Sequence, residues 1–464
     1  MVNGPSQPPL PRRRVTWLAL MVVVVLVVIG LVMLRKPKGN PAMLDAIRAA
    51  GQPVTLEEWD RWHPPVPPEE NKALAIEEAI RLVRQLDVRG LLSKERLHEA
   101  DRKSGALPSQ EERIRWKAIS DSMTDVWAAL ERARGRTRSR HAIDWASVPW
   151  HDTSRSLAAR SLLSALKWRA RAAMAEGKVA EVVVAMRDGL DLAESHLSGP
   201  AHLQTLGQIL TSDFLKHTAE MLSAGTLDED GMAGIQGRLE AMASTNRLFV
   251  GLVGERVMTL SKWERELEWA LGGTAGNSGR PFLPMLYSGL GLADADQAFL
   301  LGKMAAFIEA SRGSWSDVWK VIPKEPGDAS SETPGIGDWL TVGAWGRHLF
   351  GDRGRYIFGR LAEQFVRDEA AHVRGVQLAI VMLAVERHRL AHGGRLPGKL
   401  DDLVPTYLKA LPLDPFEGRP PTYRVMEKGY EVGALWKNGT PWFPGSEGDG
   451  ARAAEEGGIL RVER

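Results

Sequence analysis

The chain has 464 residues and not one cysteine. That absence excludes disulfides, thiolate metal sites, iron–sulfur clusters and cysteine nucleophiles together. It does not select a compartment, because a thiol-free protein suits either redox environment. An excess of one charge is missing too, with 60 Lys and Arg against 58 Asp and Glu. Global polyelectrolyte attraction to nucleic acid is therefore no basis for function, and no nucleic-acid partner is expected. Tyrosine is scarce, 5 residues against 16 Trp. The familiar signatures of catalysis are lacking as well. Gly276-Asn277-Ser278-Gly279 does not make a nucleophile elbow. Neither a Walker loop nor a dinucleotide-binding glycine motif follows any strand-like segment. With 44 % hydrophobic and 25 % charged residues, the composition is that of a globular protein. A disordered, collagen-like or polytopic chain is excluded.

One long apolar run is present. Residues 15–34 read VTWLALMVVVVLVVIGLVML, without a charge. A helix of that length spans about 30 Å, the thickness of a bilayer core. Arg12, Arg13 and Arg14 flank one end, and Arg35, Lys36 and Lys38 the other. No small-residue cleavage site follows, so the run predicts a retained single-pass signal-anchor rather than a cleaved signal peptide. Its partner is membrane lipid. The basic flanks balance, so the positive-inside rule decides little. A short head before a long body predicts a cytoplasmic N-terminus, with the body on the periplasmic or extracytoplasmic side.

The rest divides into a cytoplasmic tail (1–14), the anchor (15–34), a polar linker (35–41), a helical body (42–392), an α+β cap (393–445) and a flexible tail (446–464). Thr55 with Glu58 is a capping-box signature, and Asn71 caps the helix that follows the proline-rich connector. Residues 110–134 have helical periodicity. Residues 154–245 read as consecutive helices turning at Gly177, Gly199-Pro200 and Gly225, an array of αα-hairpins. Ala170 and Gly189 are small enough for paired helices to approach closely. Helices are also predicted over 246–271, 292–312 and 355–392, the last apolar almost all round from 376 to 385 and stopped by Gly393-Gly394. In the cap, a helix over 400–408 precedes a fixed bend at Leu411-Pro412-Leu413-Asp414-Pro415. A β-hairpin over 422–435 then turns at Glu427-Lys428-Gly429. The fold class is mainly α: one transmembrane helix, a multi-helix body and a small α+β cap.

Two stretches carry a resemblance. Residues 50–73, AGQPVTLEEWDRWHPPVPPEENKA, and 384–432, from AVERHRLAHGGRLPGKLDDLVP onward, resemble a family of uncharacterised membrane-anchored proteins of Planctomycete-type bacteria. That resemblance implies a membrane-anchored protein and carries over no activity. The second stretch is also similar to the soluble end of type II secretion pseudopilins, through Gly394, Arg395, Pro397, Leu411, Pro412, Asp414 and Pro415. It covers about 50 residues, and implies a shared local fold in which a helix leads through a bend into a small sheet. The prepilin cleavage motif is missing. The pseudopilin calcium loop has no counterpart, Glu447 and Asp449 being the only acids nearby.

Several side chains invite a chemical reading and a plainer one. His388 and His392 are spaced for a shared metal. The Glu of a zinc-protease motif is not between them, Glu386 lies elsewhere on the helix, and histidine is favoured at a helix C-terminus. Glu95/His98 and Glu369/His372 are Glu-x-x-His pairs of the di-iron type. Two such pairs are near chance in a chain this rich in Glu. Asp294 and Asp296 open a helix and suit capping. Glu255 and Arg256 in an apolar stretch predict a structural ion pair. Arg132, Arg134, Arg136, Arg138 and Arg140 alternate with small residues, either an anion-binding patch or a solvated loop. Trp59, Trp62, Trp145 and Trp150 suit core packing or a partner surface. No catalytic, cofactor-binding or metal-binding residue is assigned, and no cofactor. The reading is a non-catalytic, membrane-anchored interaction or structural protein of the bacterial envelope with a protein partner. The alternative is an envelope hydrolase using carboxylates of the central helices.

Overall fold

The computed structural model describes residues 17, 20–24, 27, 30, 39–87, 109–141, 153–225, 227–244, 247–263, 287–322, 353–434 and 459–463. Within them the protein is mainly helical, with one three-stranded antiparallel sheet. The first helices are α1 (Pro41–Ala49), α2 (Leu56–Trp62), α3 (Lys72–Asp87), α4 (Gln110–Asp121), α5 (Thr124–Ala133), α6 (Thr153–Ala175) and α7 (Val179–Ser195). There follow α8 (Ala201–Ser223), α9 (Glu229–Ser244), α10 (Arg247–Ser261), α11 (Leu292–Ala310), α12 (Trp315–Val321) and α13 (Arg353–Ala391). A 3-10 turn (Leu400–Leu403) leads to β1 (Thr422–Met426), β2 (Gly429–Gly433) and β3 (Ile459–Glu463). No described helix is long and apolar enough to cross a membrane. Of the apolar run 15–34, residues 17, 20–24, 27 and 30 are described, and all are helical.

Most of the local grammar holds. Thr55 Oγ1 accepts from the Glu58 amide at 3.2 Å and the Glu58 carboxylate accepts from the Thr55 amide, the reciprocal bonds of a capping box. Asn71 Oδ1 accepts from the Ala73 amide at 3.1 Å and so caps α3. The periodic stretch 110–134 is two helices, not one. Ser122 and Met123 break it, and the Ser122 hydroxyl bonds back to the Ile119 carbonyl.

The chain forms two compact units. One comprises Met1–Val54, Thr259–Ala305 and Pro323–Leu361. Its described core gathers Ile47 and Val54 with Leu301, and Met43, Leu44 and Leu260 pack against them. The end of the expected polar linker is docked here. The Gly39 amide donates to Asp294 Oδ1 at 3.0 Å, and the Asn40 amide group donates to the Asp294 carbonyl and to Gln297.

The other unit comprises Thr55–Met258, Ala306–Ile322 and Ala362–Arg464. Its described residues include two apolar clusters. One collects α3, α4, α5 and α6 around Ile76, Val83, Trp116, Leu130, Leu162 and Trp168. The second collects α6 to α9, the apolar stretch of α13, the 3-10 turn and the sheet. Helix α7 serves both: Leu190 is in the second cluster and Leu192 in the first. Gly189 faces Leu163 and Phe214 at ordinary or tight van der Waals range, the close approach expected of a small residue there. Gly254 on α10 allows a closer one. A β-carbon at that position would stand 2.8 Å from the Trp59 ring and 2.9 Å from the Pro200 Cα.

The cap shares its core with the helical body. Leu400, Leu403, Leu408, Tyr430, Val432 and Val462 belong to the same cluster as Val376, Leu383 and Leu239. Tyr430 donates its hydroxyl to the Met382 carbonyl at 3.1 Å. The bend over 411–415 has a definite anchor. Buried Asp414 receives both arms of the buried Arg374 guanidinium from α13, and also accepts from the Phe416 and Glu417 amides at 2.8 and 2.9 Å. The sheet order is β1-β2-β3, and both pairs are antiparallel. The expected hairpin is therefore present, its second strand starting one residue and ending two residues earlier than expected. Residues 459–463, expected within a flexible tail, are instead the third strand. Residues 446–458 lie outside the described residues. A five-residue strand alternating Ile459, Leu460 and Val462 with charge carries too little local signal to be separated from a Gly/Glu-rich tail. Its order comes from β2, and from Ser223 of α8, which accepts from the Glu463 amide.

Gly429 makes the hairpin turn at φ +109°, where a side chain is strained, and a β-carbon there would overlap the Val462 carbonyl. Gly429→Ala is expected to lose roughly 3 kcal/mol of stability. Urea unfolding followed by circular dichroism checks this, and an unchanged midpoint would contradict it.

Candidate functional site

The arginine run is not an open patch. Arg134 meets buried Asp188 with two bonds, Nε at 2.8 Å and Nη2 at 2.7 Å. Arg136 donates to the Asn71 carbonyl at 3.0 Å, Arg138 to Glu70 at 3.1 Å, and Arg140 to Asp60. The backbone is stitched down as well. The Asn71 side chain donates to the Arg140 carbonyl at 2.7 Å and accepts from its amide at 3.0 Å. The Lys72 amide donates to the Arg138 carbonyl. Arg132 and Arg138 stay exposed, and Arg132 is bonded to its own helix. Four of the five arginines thus have partners outside the run. The segment is a strap laid over the start of α3.

The strap leads to an acidic stripe on α7. Asp188, Asp191 and Glu194 recur every third residue, so they fall along one side of the helix. Lys72 Nζ lies 2.8 Å from Asp191 and 2.9 Å from Glu194. Arg238 Nη2 on α9 lies 2.7 Å from each. Two cations from α3 and α9 thus share two carboxylates, with Lys72 almost wholly enclosed.

A second polar cluster joins α8, α10 and α13. Gln208 donates to Glu369 Oε2 at 3.0 Å, across 161 residues of sequence. His372 is one turn further along α13. Arg247 opens α10, and Gln204 donates to its backbone carbonyl. Glu369, His372 and Arg247 are all buried. Burial pushes the Glu369 carboxyl up, with Arg247 and Gln208 only partly opposing it. Burial, helped by Arg247, pushes His372 down to about 3, so the ring is neutral. Asp368 beside them is half-buried and bonded to Gln364, and burial pushes it up to about 6. The Glu369/His372 pair is thus on one site, yet no group of three metal-ligating side chains occurs among the described residues. Arg247, Gln208 and Asp368 were not singled out from the sequence. Nothing local marks them, since their role depends on residues from distant helices.

The remaining candidates have separate fates. Asp294, in the first turn of α11, accepts from Gly39, and Asp296 receives the Tyr287 hydroxyl. Glu255 and Arg256 are both buried. Burial lowers Arg256 to about 10. His388 and His392 stack with ring centroids 3.9 Å apart, beside Tyr407, and His392 Nδ1 bonds the His388 carbonyl. Glu386 pairs instead with Arg389. Trp59 is buried against Trp62 and His63, so these tryptophans serve the core. Glu95/His98, Trp145, Trp150, Gly276-Asn277-Ser278-Gly279, Glu447 and Asp449 lie outside the described residues.

No family model, no curated protein and no solved structure matches the chain.

Lys72→Met leaves Asp191 and Glu194 to Arg238 alone. A loss of about 3–5 kcal/mol is expected, measured by urea unfolding. A loss under 1 kcal/mol would show that the cation does not hold α7. Asp368 has its own pH signature. Its folded pKa is above the unfolded value near 4, so its contribution is full below pH 4 and is lost as pH rises through 6. Asp368→Asn should therefore raise the melting temperature above that of the wild type at pH 7.5, with the advantage gone at pH 4. Parallel melting curves for the two proteins across this range would contradict it.

Proposed function

We propose that the protein is a membrane-anchored interaction protein of the bacterial cell envelope, its body held at the outer face of a bilayer through residues 15–34. One observation carries the anchor. In the described part of that run, Trp17, Leu20, Met21, Val22, Val23, Val24 and Val27 are helical and each is 52–68 % exposed. Seven large apolar side chains on a charge-free helix are a costly surface in water and a favourable one in hydrocarbon. Gly39 and Asn40, bonded to α11, give the run a firm attachment to folded protein.

The interaction reading is supported by how the polar groups are used. The arginine strap and the α7 carboxylates are spent on internal pairs. Glu369 is 3 % exposed and bonded to Gln208, which weighs against the alternative of a hydrolase with carboxylates open to substrate. Trp59, Trp116 and Trp168 are buried and unavailable to a partner. Trp315, Trp319 and Phe416 are half-exposed and form a shelf beside the 411–415 bend, with ring separations of 6.2 and 5.0 Å. That shelf is the surface we assign to the protein partner. The resemblance of residues 50–73 and 384–432 to membrane-anchored proteins of Planctomycete-type bacteria supports the same reading from sequence alone.

The test is fractionation followed by partner capture, using a C-terminal tag and cross-linking in living cells. The full chain should resist carbonate extraction, deletion of 15–34 should release a folded body, and one protein should co-purify at near-stoichiometric yield. Extraction of the full chain by carbonate would overturn the anchor. Recovery of the protein alone would overturn the interaction reading.

A further inference from the structure

Arg247 is a buried guanidinium without a matching countercharge. It is 7 % exposed, makes no side-chain hydrogen bond or ion pair among the described residues, and its Nη1 is enclosed and unsatisfied. Arginine does not escape such burial by losing its proton. The carboxylates whose charge reaches it are Glu369 and Glu194. Glu194 is already bonded to Lys72 and Arg238. Glu369 is bonded to Gln208 and biased by its burial toward the neutral acid. Nearby, His372 is 8 % exposed and its Nε2 is likewise enclosed and unsatisfied among the described residues. The Arg247 charge bears on this ring too. Buried charges are ordinarily paired and buried donors ordinarily bonded. Enclosed polar atoms without a partner occur elsewhere among the described residues, Arg374 Nη1 and His217 Nε2 among them, but those two side chains have other bonds. The Arg247 side chain has none, and with His372 in the same cluster, framed by Gln208 and Glu369, it points to a missing acceptor of negative charge.

We propose that Arg247 and His372 form a buried binding site for a small monocarboxylate anion, enclosed by α8, the first turn of α10 and α13. One oxygen accepts from Arg247 Nη1 and the other from His372 Nε2, which carries the proton in the matching neutral tautomer. A planar carboxylate suits the guanidinium fork, and a single negative charge balances a single arginine. The first turn of α10 adds the favourable end of a helix dipole. A phosphate dianion fits poorly, because Asp368 and Glu369 stand beside the site. The proposal is independent of the membrane and partner assignments.

The test uses the full chain in detergent, with sodium acetate as the probe and ionic strength held constant with sodium chloride. Acetate should raise the melting temperature saturably by about 3 °C, the size expected for ligand in large excess over its Kd. Arg247→Gln should abolish the rise, and His372→Gln should weaken the apparent affinity about tenfold. Arg138→Gln, which alters an exposed pair elsewhere, should leave the rise intact. If Arg247→Gln does not fold, the acetate–chloride comparison and His372→Gln decide the matter. No saturable rise, an equal rise with chloride, a rise as large with phosphate, or a rise unchanged in His372→Gln would each overturn the assignment.

Discussion

The acidic stripe of α7 is the constraint on which the larger unit depends. Helix α7 lies between two apolar clusters, and contributes Leu190 to one and Leu192 to the other. Another side of it carries Asp188, Asp191 and Glu194, the first two buried and Glu194 partly so. Burying carboxylates costs several kcal/mol each unless cations and hydrogen bonds meet them. Arg134 from the strap, Lys72 from α3 and Arg238 from α9 do so, each from a different segment. Apolar contacts would tolerate a slide of one helix along another. Three cations matched to three carboxylates do not, so the pairs set where the strap, α3 and α9 come to rest.

A similar device fixes the C-terminal part. The 411–415 bend is held because Asp414 takes the Arg374 guanidinium while tying its own loop through the Phe416 and Glu417 amides. The guanidinium also lies 4.2 Å from the Phe416 ring centroid, and Phe416 continues through Trp319 to Trp315. A buried ion pair thus joins the central helix to the aromatic shelf assigned to a partner. Tyr430 adds a second tie, from β2 to the α13 backbone. Arg374 keeps one enclosed, unsatisfied nitrogen yet is paired with Asp414, whereas the Arg247 side chain makes no bond among the described residues, and that contrast gives its cluster meaning.

Much of the fold was legible because its signals are local. The Thr55–Glu58 box, the Asn71 cap, the turns at Gly177, Gly199 and Gly225 and the long helix ending near Gly393 depend on residues within a turn of one another. The hairpin around Gly429 was legible for the same reason. The arginine run was not. Alternation with small residues reads as an exposed patch, whereas four of its five side chains are committed to partners 54 to 80 residues away or on the Glu70–Asn71 segment. Strand β3 was missed because its order is borrowed from β2. The site cluster was half legible: Glu369/His372 is visible as a spacing, but Gln208 and Arg247 come from other helices.

The sequence by itself determined the helical class, the helix ends, the hairpin and the apolar run, since periodicity, capping and turn geometry act over a few residues. Tertiary structure alone decided which charges are neutralised and which remain in need. That outcome rests on burial and on partners brought together from distant parts of the chain, as with Gln208 and Glu369 across 161 residues. The energy of a charge depends on its surroundings far more than on its neighbours in the chain.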